Sequence, residues 1–314
     1  MQYGFGVDLG GTTVKIASFS QDGVMLDKWE IPTVTAEEGK QILPDIAAAL
    51  REYQTDKAWS MSQILGIGIG VPGPVNSAGV VNKCDNLGWD VLDVRKILSH
   101  LTELPVYVGN DANLAALGET WKGGGAGCDN MLMVTFGTGV GGGIILNGRP
   151  LNGAHGSAGE IGHLVMEPTE TEACGCGKRG CAEQYCSATG IVRLAKKHLA
   201  AHPGKSPLEQ VQTLRCKDVF DAAAAGDASA QQILEQVYEY MGRLLANVCN
   251  TLDPEVVVLG GGVSRAGQPL LEGAYRYFQK YVYHGSAETR FAMATLGNDA
   301  GVYGAFKLVL DAQR

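Results

Sequence analysis

Several groups of residues in this chain could do chemistry. The first is the run Asp8-Leu9-Gly10-Gly11-Thr12-Thr13-Val14-Lys15. An apolar strand ends on an acid, passes a Gly-Gly-Thr-Thr turn and continues as a second apolar strand. Glycines lack Cβ, so main-chain N–H groups there can approach an anion closely. Thr12 and Thr13 add hydroxyl donors, and Asp8 stands where a Mg²⁺ shell would need a carboxylate. This is the chemistry of a nucleotide phosphate site, although a glycine-rich β-turn would read the same in isolation.

A second glycine turn, Gly137-Thr138-Gly139-Val140-Gly141-Gly142, formally matches G-x-G-x-x-G. A dinucleotide fingerprint must turn from strand into helix. Here an Ile-Ile-Leu strand and an Asn147-Gly148 turn follow, so that reading fails. No Gly-Lys-Ser/Thr closes either turn, so neither is a Walker A loop. What remains is a matched pair of strand-turn-strand loops, each able to present N–H groups and threonine hydroxyls to phosphates. A third glycine run, Gly260-Gly261-Gly262, ends the buried strand Val256 to Leu259 and suits the floor of an adenosine pocket. A plain strand-to-helix turn is the alternative.

Asn110-Asp111-Ala112-Asn113 follows a short strand and precedes a helix with Leu114 and Leu117 inward. Asn or Asp at that point is an N-cap in many proteins. The functional reading makes Asp111 a base that accepts a substrate hydroxyl proton, with Asn110 holding neighbouring hydroxyls. Phosphoryl transfer runs mainly on positioning and charge stabilisation, so a well-placed aspartate suffices.

Cys174, Cys176 and Cys181 lie eleven or more residues after His163 in the runs Gly-Glu-Ile-Gly-His and Cys-Gly-Cys-Gly-Lys-Arg-Gly-Cys. Cys₃His suits tetrahedral Zn²⁺ with no open position, hence a structural site. The alternative is a set of incidental thiols. A zinc here would pin a long loop that has few apolar residues to order it. It would also fix the His163 ring and leave its other nitrogen to face a ligand. Glu160 and Glu183 flank the loop and could accept hydrogen bonds from sugar hydroxyls, or be solvated acids.

These residues need rigid elements to carry them. The periodicity predicts strands at 3–8, 14–19, 24–31, 64–71, 106–108, 131–136, 144–146, 255–259 and 290–295. Helices are predicted at 36–53, from Val91 to Leu101, from Asp111, and at about 187–201, 216–225, 228–251, 267–281 and 299–312. Both halves begin strand–glycine turn–strand and then alternate helix with strand, which favours two α/β domains. The chain has 314 residues, 45% hydrophobic and 18% charged, enough for two cores. Its formal net charge is −8 and it has no basic stripe, so no nucleic-acid partner is expected. No apolar stretch reaches transmembrane length and the N-terminus enters a strand at once, so no membrane association and a cytoplasmic location are expected.

The combination Gly-Glu-Ile-Gly-His followed by Cys-Gly-Cys-Gly-x-x-Gly-Cys-x-Glu resembles the ROK family (repressors, open reading frames and sugar kinases). The two phosphate turns, Val71-Pro72-Gly73-Pro74-Val75 and Asn110-Asp111 fall where that family has them, and the resemblance covers nearly the whole chain. Asn86-Leu87-Gly88-Trp89, Ser187-Ala188-Thr189-Gly190 and Leu296-Gly297-Asn298-Asp299-Ala300-Gly301 resemble the glucokinases within it. The resemblance implies two actin-like (ribonuclease H-like) α/β domains flanking a cleft, with a zinc loop at 163–181 in the second. The expected bounds are 1–111 plus 300–314 for a smaller domain and 112–299 for a larger one.

It also implies ATP- and Mg²⁺-dependent phosphorylation of the glucose 6-hydroxyl, with Asp111 as base. Gly73, Asn86, Asn110, Asp111, Glu160, His163 and Glu183 would hold the sugar. Asp8, Gly10, Gly11, Thr12, Thr13, Lys15, Thr138 and Gly139 would contact phosphate or its Mg²⁺, and Gly261 and Gly262 the adenosine. His163, Cys174, Cys176 and Cys181 would bind structural Zn²⁺. A homodimer is the family expectation. N-acetylmannosamine, N-acetylglucosamine, fructose or allose are alternative substrates. A sugar-sensing repressor is the remote alternative, disfavoured because the phosphate turn begins within ten residues of Met1 and leaves no room for a helix-turn-helix domain. Gly109 stands where many relatives carry a larger or acidic residue.

Overall fold

The computed structural model describes residues 1–313. The protein is α/β with mixed sheets, and the chain forms two compact units. The first holds Met1–Asp129, Gly143–Gly159 and the chain from Thr295 on; the second holds Asn130–Gly142 and Glu160–Ala294.

In the first unit, β1 (Tyr3–Leu9), β2 (Thr13–Ser20) and β3 (Met25–Pro32) form an antiparallel meander. β4 (Ile64–Val71) and β7 (Val106–Asn110) add in parallel to β1, giving the order β3-β2-β1-β4-β7. Asp8 therefore pairs with Gly70, and Gly70 with Gly109, so the carboxyl ends of three parallel strands line up. That end of a parallel sheet is where α/β proteins bind ligands.

Side chains alternate across a strand, and β1 and β4 use this in an unusual way. Phe5, Val7, Leu9, Ile67, Ile69 and Val71 face one side and are completely buried against Ile42, Ile46, Leu50 and Leu98. The opposite face carries Gly4, Gly6, Gly66, Gly68 and Gly70. There the backbone of the last helix, α10 (Ala300–Asp311), comes into direct contact: a Cβ on Gly68 would lie 1.8 Å from the Ala305 carbonyl oxygen. α10 in turn meets α4 (Asp111–Lys122) through small residues; a Cβ on Gly304 would lie 1.7 Å from the Leu114 oxygen. Val302, Phe306 and Val309 are fully buried, and Phe306 stacks on Phe19 with ring centroids 4.6 Å apart. Each such aromatic burial is worth about 1.5–3 kcal/mol. These contacts keep α4 in the first unit, which differs from the expected boundary after residue 111.

Two expected helices change. Residues 36–53 divide into a single turn, α1 (Ala36–Gly39), and α2 (Ile42–Asp56). Glu37, Glu38 and Gly39 have φ of +51°, +60° and +65°, a left-handed kink that breaks the helix, and Trp89 Nε1 donates to the Gly39 oxygen there at 3.2 Å. Val91 does not start a helix. It is exposed in β6 (Trp89–Asp93), which pairs antiparallel with β5 (Val80–Cys84). The helix α3 (Val94–Thr102) begins only after Asp93, whose Oδ1 accepts from the Lys96 N–H at 2.9 Å and caps it.

In the second unit, β8 (Met131–Phe136), β11 (Val256–Gly260) and β12 (Arg290–Met293) are parallel neighbours. They belong to a sheet of order β10-β9-β8-β11-β12, with β9 (Val140–Leu146) and β10 (Arg149–Pro150). The helices of this unit are α5 (Glu183–Cys186), α6 (Ala188–Ala201), α7 (Cys216–Ala224), α8 (Ala228–Leu252) and α9 (Gln268–Tyr281). Among the described residues, no helix is long and apolar enough to cross a membrane.

Candidate active site

The acid-bearing residues of the first unit sit at the carboxyl ends of β1 and β7. Asn110 ends β7 and is the N-cap of α4: its Oδ1 accepts from the Asn113 N–H at 3.1 Å. The capping duty thus falls to Asn110, and Asp111 is released from it. Asp111 Oδ1 accepts from the Ala112 N–H at 2.8 Å and from Asn110 Nδ2 at 3.0 Å. Both bonds fall on Oδ1, leaving Oδ2 to take a proton. Burial raises the Asp111 pKa to about 6, helped by the charge of Asp8 and opposed by the bonds from Ala112 and Asn110. A base poised near neutrality is efficient in proton abstraction.

Asn110 Nδ2 also donates to the Gly73 oxygen at 3.1 Å, which brings the Pro72-Gly73-Pro74 loop beside the acid. Gly73 has φ +91°, a conformation that favours glycine. Asn86 is exposed on the turn Asp85–Leu87, whose Leu87 is buried, and bonds to none of Gly73, Asn110 or Asp111. A Cβ on Gly109 would lie 2.8 Å from Leu114 Cδ2, so a larger residue there would displace that side chain.

Asp8 is held by Lys15, whose Nζ is 3.5 Å from Asp8 Oδ2 and 3.4 Å from the Asn298 oxygen. Burial raises the Asp8 pKa, while Lys15 lowers it. The first turn of α10 abuts the same carboxylate, since a Cβ on Gly301 would lie 2.7 Å from Asp8 Cγ. In the glycine turn, the Gly10 N–H donates to the Thr13 oxygen at 3.0 Å. The N–H groups of Gly11 and Thr12, both exposed, donate to no other residue among those described. Asp8 is a fitting carboxylate for a Mg²⁺ shell, and Gly11, Thr12 and Thr13 offer donors to phosphate.

The second unit gathers its predicted residues around a thiol cluster. His163, Cys174, Cys176 and Cys181 each place a ligand atom within 4.8 Å of the others. The Cys174 N–H donates to the Lys178 oxygen at 2.7 Å and the Gly177 N–H to the Cys174 oxygen at 2.8 Å, forming a tight knuckle. Val165 bridges to Cys181, which carries the His163 turn alongside. His163 Nδ1 is buried with no hydrogen-bond partner among the described residues. An orphaned imidazole nitrogen among three thiols is the donor set of a closed tetrahedral divalent ion. The other nitrogen, Nε2, is 3.9 Å from Glu160 Oε2, on an exposed edge. Burial pushes the Cys181 thiol up to about 12, followed in effect by the neighbouring thiols. A bound cation would reverse this and hold the thiolates.

Glu183 is half-buried and connects this cluster to the second glycine turn: Oε1 is 3.6 Å from Cys174 Sγ and Oε2 accepts from the Val140 N–H at 3.1 Å. Thr138 is exposed at the tip of that turn. The triple-glycine run also arrives here, because β8 and β11 are parallel and Gly260 pairs with Thr135. Gly261 has φ +83°, and a Cβ on it would lie 2.5 Å from the Phe136 oxygen.

Residues 4–312 match the ROK family. The chain belongs to the ROK family. It is 45% identical to a glucokinase of Halalkalibacterium halodurans, over 97% of this chain and 94% of that protein. The structure of a ROK glucokinase from Streptomyces griseus, solved in complex with glucose and AMPPNP, matches with a TM-score of 0.74 and 31% identity over 98% of each chain. A ROK hexokinase from Thermus thermophilus matches with a TM-score of 0.82 and 32% identity over 100% of each chain.

The ROK chain carries site features that its sequence did not announce. A cavity of about 670 Å³ in the second unit is lined by Thr138, Thr189, Arg193, Lys196, Leu214 and Cys216. Only Thr138 of these was expected. Thr189 lies in the Ser187–Gly190 run already singled out, while Arg193 and Lys196 from the middle of α6, Leu214 from a loop and Cys216 at the start of α7 carry no motif of their own. Cys84 is buried near Gly73, and the Asp111 charge raises its pKa after burial has done so. Glu119, fully buried, accepts from the N–H groups of Gly124 at 2.8 Å, Thr295 at 3.1 Å and Leu296 at 2.9 Å, and so anchors the approach to α10.

Proposed function

We propose that this ROK protein is a glucokinase: it transfers the γ-phosphoryl group of ATP to the 6-hydroxyl of glucose. The observation that carries the reading is the division of labour at the start of α4. Asn110 caps the helix and leaves Asp111 buried, with its Oδ2 free and its pKa near 6. Asp111 takes the proton from O6 as that oxygen attacks the γ-phosphorus, and ADP departs. Asn110, Glu160, His163 and Glu183 hold the sugar's other hydroxyls, with Gly73 and Asn86 at its edge. Gly10, Gly11, Thr12, Thr13 and Lys15 on one turn, and Thr138 and Gly139 on the other, receive phosphate oxygens. Gly261 and Gly262 face the adenosine. Asp8 would hold Mg²⁺, which when bound supplies charge neutralisation for the phosphates.

His163, Cys174, Cys176 and Cys181 would hold a structural Zn²⁺ that orders the sugar-binding arm. The actin-like arrangement of two domains about a cleft is part of the same proposal. A cytoplasmic homodimer goes with it and rests on the family resemblance. The relatives in name and the complex of a neighbour with glucose and AMPPNP support the reading. A screen of hexoses and N-acetylhexosamines with ATP, comparing kcat/KM, tests it. Glucose is expected to lead, and preference for another sugar would move the assignment within the kinase class.

A further inference from the structure

The turn Gly137–Val140 has one internal hydrogen bond, from the Gly137 N–H to the Gly139 oxygen at 2.9 Å. Its remaining support comes from the segment Cys181–Thr189. The Val140 N–H donates to Glu183 Oε2 at 3.1 Å, the Ala188 N–H donates to the Gly137 oxygen at 2.8 Å, and Thr189 Oγ1 donates to the Thr138 oxygen at 2.9 Å. A Cβ on Gly139 would lie 2.2 Å from Glu183 Oε2, so glycine is what admits the carboxylate. The His163 turn rests on the same place, because a Cβ on Gly162 would lie 2.2 Å from the Val140 oxygen. Meanwhile the N–H groups of Thr138 and Gly139 donate to no other residue among those described.

We infer that Glu183 is a positioning residue for the nucleotide as well as a sugar contact: with Ala188 and Thr189 it fixes the Gly137–Val140 turn to the thiol loop. The inference rests on the kinase reading and extends it from the sugar to the phosphates. A glycine turn has large conformational freedom, and ordering it on binding costs affinity. Here one carboxylate oxygen takes the Val140 N–H and holds the backbone with the two preceding donors, those of Thr138 and Gly139, still available. The other oxygen faces Cys174 Sγ. A metal-bound thiolate has no proton to donate, which leaves that oxygen for a sugar hydroxyl. The order of the thiol loop therefore sets how well Thr138 and Gly139 receive a phosphate.

Calorimetric titration of the full chain with Mg²⁺·AMPPNP, without sugar, tests this. Glu183→Ala is expected to bind the nucleotide about five- to tenfold more weakly while keeping its zinc. Glu183→Gln keeps an oxygen that can accept from the Val140 N–H, and is expected to bind AMPPNP within about twofold of wild type while losing glucose affinity. Thr189→Val, expected to bind about two- to threefold more weakly, carries the test if Glu183→Ala does not fold. AMPPNP binding by zinc-replete Glu183→Ala within about twofold of wild type, or equal weakening in Glu183→Gln, overturns the inference. If wild type meanwhile binds AMPPNP and phosphorylates glucose, the kinase reading stands alone; a wild type that does neither overturns both.

Discussion

The turns Gly10–Thr13 and Gly137–Val140 both lie between two strands and both leave consecutive N–H groups without an acceptor among the described residues, yet they are held in different ways. The first is braced by near neighbours in the chain. The Thr33 N–H donates to the Thr12 oxygen at 2.9 Å and Thr33 Oγ1 to the Gly10 oxygen at 2.8 Å, both within the β1-β2-β3 meander. The second is braced by Glu183 and Thr189, 43 and 51 residues further along, on a segment that begins at a thiol cluster. Local support forms with the hairpin itself. Distant support exists only when the intervening chain is ordered. The same pattern of unpaired N–H groups is therefore a property of the sheet in one unit and of a thiol-bearing loop in the other.

The largest expected effect lies on the acid side. Asp111→Ala is expected to lower kcat by about 10²–10⁴-fold while glucose still binds measurably by calorimetry. Near-normal turnover would remove the first unit from the chemistry. The matching change on the thiol side is Cys176→Ala. It is expected to release zinc, by metal analysis, and to weaken glucose binding by about 10–100-fold. A variant that loses its metal and keeps its sugar affinity would show that the two supports do not differ as argued.

A smaller effect tests the packing that brings α4 and α10 together. Gly304→Ala drives a methyl into the Leu114 carbonyl, and is expected to cost about 1–3 kcal/mol in denaturant unfolding. Gly262→Ala has open space around the new methyl and serves as the control.

The smallest effect concerns proton linkage at Asp111. Its folded pKa of about 6 lies above the ordinary 3.8, so the folded state binds the proton more tightly than the unfolded one. Stability is fully present below the unfolded value and is lost as pH rises through about 6. Asp111→Asn, inactive by expectation, should then be more stable than wild type at pH 8 and equal to it near pH 3, by denaturant unfolding. In the wild type, kcat/KM should fall to half at about pH 6 as the base protonates. A flat profile between pH 5 and 8 would place the titrating group elsewhere.

Much of the fold was legible because its signals are local. Period-3.6 patterns place α6, α8, α9 and α10 to within a residue or two, and apolar runs bounded by glycine place β1, β4, β8 and β11. Local pattern also misled. Val91 has helical spacing to Val94 and Leu98, but Asp93 caps the helix after it and Trp89–Asp93 pair with a strand instead. The alternation of glycine with apolar residues in β1 and β4 gains its meaning only from the structure. It marks the face on which α10 lies, and a strand packed by a helix backbone leaves no other trace in the sequence.

The site divides along the same line. Residue types and spacing determined which groups could act: three thiols and a histidine that suit zinc, glycine turns that suit phosphate, and an Asn-Asp pair before a helix. Tertiary structure decided their duties. It made Asn110 the cap and Asp111 the free acid, brought Asp8 close enough to raise its neighbour's pKa, left His163 Nδ1 without a partner among the described residues, and set Glu183 between thiol and glycine turn. Spacing along a chain reports what is covalently near. Burial, charge repulsion and hydrogen bonding depend on distance through space, and only the packed chain fixes those distances.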